Sequence, residues 1–240
     1  MDRKNIENLE AIFFDIDNTL YDQHKAYKKG LSLVVDEFDK LFENKDKEEV
    51  VEAFFKGDIE LMKEFRDGAS LESSRLTRMK KMLELLGIDK NYAEDVNDFF
   101  LDKYPKIDTP IDKAIHVIER LRESYKLGVI SNGSKSIQLQ KLESMGLKNH
   151  FKIIVLSEEI GIRKPEKKIF ENAASQFDLS SNRCMYVGNL YETDVVGANN
   201  AGMLSCWLNQ HGRELPPNGI EPDFRIRELV ELLEVLHNNS

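Results

Sequence analysis

The sequence predicts an α/β protein, a three-layer Rossmann-like fold with a parallel sheet of about five strands. Five short apolar runs recur along the chain, at residues 11–14, 127–130, 153–156, 184–187 and 204–208. Such uninterrupted runs are typical of strands buried on both faces. Amphipathic stretches follow several of the runs, and helices there would cover the two faces of the sheet.

Four helices are predicted between and after the later strands. Apolar residues at helical spacing predict helices over 137–145, 169–177, 195–201 and near 229–236. Gly146 and Gly202 follow two of these stretches and are expected to end them.

A long interval, from about residue 22 to 106, contains no clear buried strand. Its apolar residues follow helical spacing in four stretches, which predicts a small helical bundle over 27–42, 50–55, 76–86 and 96–104. The predicted domains are therefore a core of residues 1–21 and 107–240 and an inserted helical domain of residues 22–106. We expect Asp108-Thr109-Pro110 to form the return hinge and the cap of the next helix. An insertion at the carboxyl end of the first strand could act as a lid over a ligand site; the alternative is a decorative insertion.

Composition excludes several classes of function. The chain has 240 residues, of which 41% are hydrophobic and 32% charged, as in an ordinary soluble protein. The net charge of −9 argues against a nucleic-acid partner, although a small anionic substrate remains compatible with it. No apolar run reaches the roughly 20 residues of a membrane span.

Cys184 and Cys206 are expected to be buried thiols. A mixed, polar start without a signal-peptide pattern predicts a cytoplasmic protein. The oligomeric state cannot be read from the sequence.

Two carboxylates directly follow the first predicted strand. Asp15 and Asp17 are spaced i, i+2 after residues 11–14. In extended backbone such side chains share a face, so the pair could converge on one ligand or ion. The carboxyl end of a strand is also where open α/β sheets hold their ligands. The alternative is a polar loop in which one of the two caps the next helix.

Polar residues follow three later strands as well. Ser131-Asn132-Gly133 comes after the second, either as an ordinary capping turn or as a phosphate-binding helix start. Lys164 lies beyond the third, just before Pro165, either as surface charge or as a cation that points toward the aspartates. Asn189 and Asp194 follow the fourth and offer two oxygen ligands; the alternative is that Asp194 merely favours a helix N-terminus.

Taken in order, these motifs resemble those of the haloacid dehalogenase-like hydrolase superfamily. The motifs are Asp-x-Asp-x-Thr, Ser-Asn-Gly, Lys-Pro and Gly-Asn-x4-Asp, and the resemblance runs from about residue 9 to 236. The helical insertion is similar to the superfamily's C1-type cap. The segment 187–203 is close to the fourth motif of its phosphatases for small phosphomonoesters.

The resemblance implies a role for each matching residue. Asp15 would be the nucleophile that forms an aspartyl-phosphate, and Asp17 the acid and base, with its backbone carbonyl on Mg²⁺. Thr19 would support the loop, while Ser131 and the backbone around Asn132 would hold phosphoryl oxygens. Lys164 would offset negative charge. Asn189 and Asp194 would complete a metal site with Asp15 and Asp17, directly or through water.

One position departs from the superfamily's pattern. Asn189 stands where an aspartate is usual. An amide oxygen can bind Mg²⁺ but carries no charge, so we expect weaker Mg²⁺ affinity than with aspartate. The departure also leaves open which of Asn189 and Asp194 contacts the metal.

The leading hypothesis is a Mg²⁺-dependent phosphatase for a small phosphorylated metabolite of the sugar phosphate, glyceraldehyde 3-phosphate or nucleotide type. The alternatives are a metal-independent 2-haloacid dehalogenase, a non-catalytic module that binds a phospho-ligand, and a phosphomutase. Asp17 argues against dehalogenation, because a halide needs no acid to leave. Arg75, Arg78 and Lys80 fall on the third helix of the insertion. Arg78 is a candidate substrate anchor, or simply part of a solvated helix face.

Overall fold

The computed structural model describes residues 6–64 and 71–237, with the side chains of 62–64 and 71–74 outside the description. The chain divides into two compact units. One contains the residues up to Gln23 together with those from Asp108 onward, and is called the sheet unit here. The other, His24–Ile107, is called the helical unit.

The sheet unit contains six parallel strands in the order β3-β2-β1-β4-β5-β6. The strands are β1 (Ala11–Phe14), β2 (Lys126–Ser131), β3 (Ile153–Leu156), β4 (Cys184–Gly188), β5 (Leu204–Leu208) and β6 (Phe224–Ile226). The order reverses at β1, so β1 and β4 form the switch point where open α/β sheets leave a crevice at their carboxyl ends. The predicted parallel α/β sheet is confirmed, with one strand more than expected.

Ten α-helices lie within the described residues. The helical unit is built from α1 (Gln23–Glu37), α2 (Lys47–Glu64), α3 (Leu71–Leu85) and α4 (Ala93–Lys103). The sheet unit adds α5 (Ala114–Leu121), α6 (Lys135–Ser144), α7 (Ser157–Ile160), α8 (Lys167–Ser175), α9 (Val196–Ala201) and α10 (Glu231–His237). A π-helical turn, Tyr191–Val195, precedes α9. No helix in these ranges is both long and apolar enough to cross a membrane.

Two local predictions need correction. The helix after the insertion begins at Ala114, with Lys113 at its N-cap, so Thr109-Pro110 does not cap it. Pro110 instead forms a bridge with Tyr21, and Thr109 accepts a backbone hydrogen bond from Asp22. The first helix of the insertion ends at Glu37 rather than near residue 42.

Apolar packing explains why β1 lies in the centre of the sheet. All four of its residues are fully buried. Phe13 belongs to one core cluster with Phe170, on the helix over 167–175, and with Phe177, which follows that helix. Cys184 and Cys206, in β4 and β5, are buried free thiols, as expected. A central strand this deeply buried holds the residues that follow it in fixed positions at the sheet edge.

Candidate active site

The side chain of Lys164 links the ends of two strands. Its Nζ donates hydrogen bonds to Asp15 Oδ1 and Asp194 Oδ1, both at 2.8 Å. It also donates to the Tyr186 hydroxyl at 2.6 Å, and that hydroxyl donates to the Ile130 carbonyl. The side chains of Asp15, Lys164 and Asp194 are only 7%, 3% and 1% exposed. One buried ammonium therefore faces two buried carboxylates, which leaves a net negative charge when both are ionised.

Asp15 occupies the first position after β1. Its backbone N–H donates to the Val187 carbonyl at 2.9 Å, which continues the pairing of β1 with β4. Burial raises the pKa of Asp15 to about 7; the Lys164 ammonium lowers it, while Asp194 and Asp17 raise it further. The carboxyl group is thus fixed near the sheet edge, and additional positive charge there would stabilise its ionised form.

The raised pKa of Asp15 predicts a pH dependence of stability for the metal-free protein. Between the unfolded value of 3.8 and the folded value of about 7, the folded state binds the extra proton. The free energy of unfolding therefore falls as pH rises through this window. From about pH 5 to about pH 8 the loss should be on the order of 2 kcal/mol larger in wild type than in Asp15→Asn. Urea unfolding in EDTA at both pH values measures the free energy of unfolding. Equal losses of this free energy in the two proteins would contradict the prediction.

Asp194 is held by contacts on both of its oxygens. Oδ1 accepts from Lys164, and Oδ2 accepts from the Leu190 backbone N–H at 2.9 Å. Gly188 makes this approach possible, because a Cβ at that position would lie 2.4 Å from Asp194 Oδ2. Both oxygens of Asp194 are therefore already engaged within the protein.

The amide of Asn132 fixes the backbone of Lys164. Its Nδ2 donates to the Lys164 carbonyl at 2.9 Å, and the Lys164 N–H donates to Asn132 Oδ1 at 2.8 Å. Ser131, the last residue of β2, is 2% exposed. The side chain of Asn132 thus positions Lys164, a role that was not predicted from the sequence.

Asp17 has a separate set of partners. Lys141 Nζ donates to its Oδ1 at 2.5 Å, and Gln138 Nε2 donates to its Oδ2 at 2.8 Å. Lys141 also lies over the Tyr21 ring, with Nζ 5.3 Å from the centroid. The two aspartates after β1 are therefore paired with different lysines.

No motif of the sequence marks Gln138, Lys141 or Tyr186 as part of the site. The buried residues of α6 include Gln138 and Lys141, whereas the apolar Leu139 between them is half-buried. The available signal was the i, i+3 spacing of 138 and 141 on one helix face. For Tyr186 the signal was a hydroxyl within the otherwise apolar run of β4.

Thr19 and Asn189 connect the loop after β1 with the end of β4. The Thr19 hydroxyl is 3.4 Å from Asn189 Oδ1, and Thr19 is fully buried. Trp207 Nε1 donates to the Asn189 carbonyl at 3.1 Å. These contacts keep the Asn189 amide oxygen on the same side as the loop that carries Asp15 and Asp17.

Arg78 is engaged within the helical unit. Its Nε lies 2.7 Å from Asp58 Oδ1, and its guanidinium lies over the Phe54 ring at 5.4 Å from the centroid. Burial lowers the pKa of Arg78, but Tyr27 and Asp58 outweigh it, so the pKa is raised. Its side chain is 20% exposed, so the alternative of a freely solvated face does not describe it. Whether it binds substrate stays a prediction.

Known proteins resemble this chain over most of its length. Over 242 residues it is 30% identical to the glyceraldehyde 3-phosphate phosphatase of Methanothermobacter thermautotrophicus, covering 95% of this chain and 100% of that protein. It is 39% identical to the pyrimidine 5'-nucleotidase YjjG of Escherichia coli over 142 residues, which span 59% of this chain and 63% of that protein. The crystal structure of the putative hydrolase YfnB of Bacillus subtilis, which was solved bound to magnesium, superposes with a TM-score of 0.84 at 24% identity. That superposition covers 95% of this chain and 98% of YfnB.

The family assignment rests on the greater part of the chain. Residues 12–208 match the haloacid dehalogenase-like hydrolase family. This span begins within β1 and ends with β5, so it includes every residue of the cluster around Lys164. The chain belongs to the haloacid dehalogenase-like hydrolase family.

Proposed function

We propose that the protein is a Mg²⁺-dependent phosphatase that hydrolyses a small phosphomonoester through an aspartyl-phosphate at Asp15. The observation that carries the proposal is the pairing of two aspartates with different partners at one sheet edge. Asp15 contacts the buried ammonium of Lys164, while Asp17 contacts Lys141 and Gln138. Two carboxylates in different environments suit a nucleophile and a proton carrier.

The reaction proceeds in two balanced steps. In the first, an Asp15 oxygen bonds to phosphorus, the bond from phosphorus to the leaving oxygen breaks, and Asp17 gives its proton to that oxygen. In the second, Asp17 takes a proton from water, the water oxygen bonds to phosphorus, and the bond to Asp15 breaks to release phosphate. Lys164 offsets charge on Asp15 throughout.

The residues at this edge fit a hard divalent cation. In the described ranges 6–64 and 71–237, no three His, Cys, Asp or Glu side chains form a metal cage. An ion would therefore need the Asp15 carboxylate together with amide or carbonyl oxygens, which are ligands that Mg²⁺ accepts along with water. The deficit of positive charge around Asp15 favours such an ion. When bound, Mg²⁺ would neutralise negative charge on the phosphoryl group and on Asp15.

The contacts favour Asn189 over Asp194 as the direct ligand. Asp194 Oδ1 accepts from the Lys164 ammonium and Asp17 Oδ1 from the Lys141 ammonium, and these cations compete with a metal ion for those oxygens. Asn189 Oδ1 faces no cation in its described contact, which is with the Thr19 hydroxyl at 3.4 Å. Asp17 would then contribute its backbone carbonyl, while Asp194 would hold Lys164.

Replacing Asn189 with aspartate should tighten metal binding. Asn189→Asp adds a negative charge to the ligand set, and we expect the Mg²⁺ dissociation constant to fall about tenfold. Isothermal titration with Mg²⁺ measures this without substrate. Asn149→Asp, which adds the same charge at an exposed position, is the control. An unchanged constant in Asn189→Asp would refute the assignment.

The proposed substrate class and location are supported by the relatives and by the sequence. The relatives named above act on a pyrimidine nucleotide and on glyceraldehyde 3-phosphate, which supports a small phosphorylated metabolite as the substrate here. The proposal also includes three assignments from the sequence. Residues 22–106 form a C1-type cap, Arg78 anchors substrate and Ser131 holds phosphoryl oxygens. A cytoplasmic location is part of the proposal as well.

A panel assay tests the proposal against its alternatives. Release of phosphate from nucleotides, triose phosphates, sugar phosphates and p-nitrophenyl phosphate is measured with Mg²⁺ and with EDTA. The proposal expects turnover that EDTA abolishes. Halide release from 2-haloacids without metal would favour a dehalogenase, and binding without turnover a non-catalytic module. Dependence on a bisphosphate activator would indicate a phosphomutase.

A further inference from the structure

Lys141 is a buried lysine for which the reaction above has no direct use. It lies on α6 and is 1% exposed, whereas the Asp17 carboxylate that it contacts is 25% exposed. A buried ammonium is unfavourable unless it is paired. Its contacts with Asp17 and with the Tyr21 ring provide that pairing. The lysine is thus enclosed in the protein, while the carboxylate that it holds remains reachable from the sheet edge.

Gln138 holds the same carboxylate from its other oxygen. Its Nε2 donates to Asp17 Oδ2 at 2.8 Å, and the residue is 2% exposed. Gly133 leaves room for this side chain, because a Cβ there would lie 2.1 Å from Gln138 Nε2. The terminal torsion of an aspartate is broad when it is free. One donor on each oxygen selects a single orientation of the Asp17 carboxylate.

We propose that Lys141 and Gln138 are positioning residues that hold the Asp17 carboxylate in its working orientation. The inference rests on the proposed function, in which Asp17 moves protons. Each carboxylate oxygen keeps a second lone pair after accepting one hydrogen bond, so the held group can still carry a proton. Both side chains donate to the Asp17 carboxylate, and they act through it.

This role predicts a dependence on the leaving group. Phenolate leaves phosphorus poorly unless Asp17 protonates it, whereas 2,4-dinitrophenolate leaves without a proton. If Asp17 is badly oriented, formation of the aspartyl-phosphate should slow for phenyl phosphate only. Hydrolysis of that intermediate needs Asp17 to take a proton from water, so it should slow for both substrates.

The test is single-turnover and burst kinetics of Lys141→Met with phenyl phosphate and 2,4-dinitrophenyl phosphate. We expect phosphorylation by phenyl phosphate to slow about 10²-fold, because general acid catalysis contributes 10²- to 10⁴-fold. Phosphorylation by 2,4-dinitrophenyl phosphate should be nearly unchanged and should show a burst of dinitrophenolate. Lys135→Met, at the exposed first residue of the same helix, is the control and should match wild type on both substrates.

Equal loss on both substrates in the phosphorylation step would show a merely structural role and overturn the proposal. Unchanged rates on both substrates would also overturn the proposal. Faster rates on both would overturn it as well, because they would show that the contact holds Asp17 in an unproductive orientation. Gln138→Met removes the second contact without changing charge, and it carries the same test if Lys141→Met fails to fold. If wild type turns over neither ester, the proposed function itself has failed.

Discussion

Asp15→Asn should lose essentially all turnover while remaining folded. The substitution keeps the size of the side chain but removes the carboxylate that attacks phosphorus, so we expect kcat for p-nitrophenyl phosphate to fall by at least about 10⁴-fold. Stability of the metal-free protein at neutral pH should not decrease, because a buried carboxylate with a raised pKa is replaced by a neutral amide. Activity and urea unfolding are measured on the same preparation.

A matched control is Asp112→Asn. Asp112 is an exposed aspartate of the sheet unit, and its replacement makes the same chemical change outside the hydrogen-bonded cluster around Lys164. It should keep wild-type kcat. Substantial turnover by Asp15→Asn, together with normal turnover by the control, would show that Asp15 is not the nucleophile.

Lys164→Met should be the second most damaging change. It removes the ammonium shared by Asp15 and Asp194 and leaves two buried carboxylates facing each other. Loss of one partner from a buried ion pair costs about 3–5 kcal/mol, so stability near neutral pH should fall by an amount of that order. The loss of charge compensation should lower kcat about 10³-fold in the protein that remains folded.

Two measurements keep these effects apart. Thermal unfolding gives the folded fraction at the assay temperature, and kcat is expressed per folded molecule. Lys167→Met, which removes an exposed lysine at the start of α8, should leave both quantities unchanged. A folded Lys164→Met protein with near wild-type kcat would contradict the role given to Lys164.

The sequence was sufficient to predict the parallel sheet and the residues at its edge. Runs such as 11–14 are apolar on both faces, which in a protein of this composition fits a central parallel strand. Because parallel strands end at the same edge, Asp15 could be placed near Asn189 without a structure. Strand β6 was not predicted, because it has three residues and contains Arg225, so it carries no apolar run.

Side-chain partners were much harder to predict than strand ends. Lys141 follows Gln140 and precedes Leu142, and apart from its i, i+3 spacing to Gln138 it resembles a surface lysine on an amphipathic helix. Its burial depends on Asp17, which lies 124 residues away in the chain. The two hydrogen bonds between Asn132 and the Lys164 backbone are of the same kind. Long-range contacts of this sort come from packing, and residue periodicity does not encode them.

Chemical trapping of a phosphoryl group on Asp15 tests directly whether this residue is the nucleophile. The protein is quenched with acid during turnover of 2,4-dinitrophenyl phosphate with Mg²⁺, reduced with borohydride, digested and mapped by mass spectrometry. An aspartyl-phosphate is reduced to homoserine, and we predict homoserine in place of Asp15 alone. Reduction at a different residue, or none despite continuing phosphate release, would contradict the account.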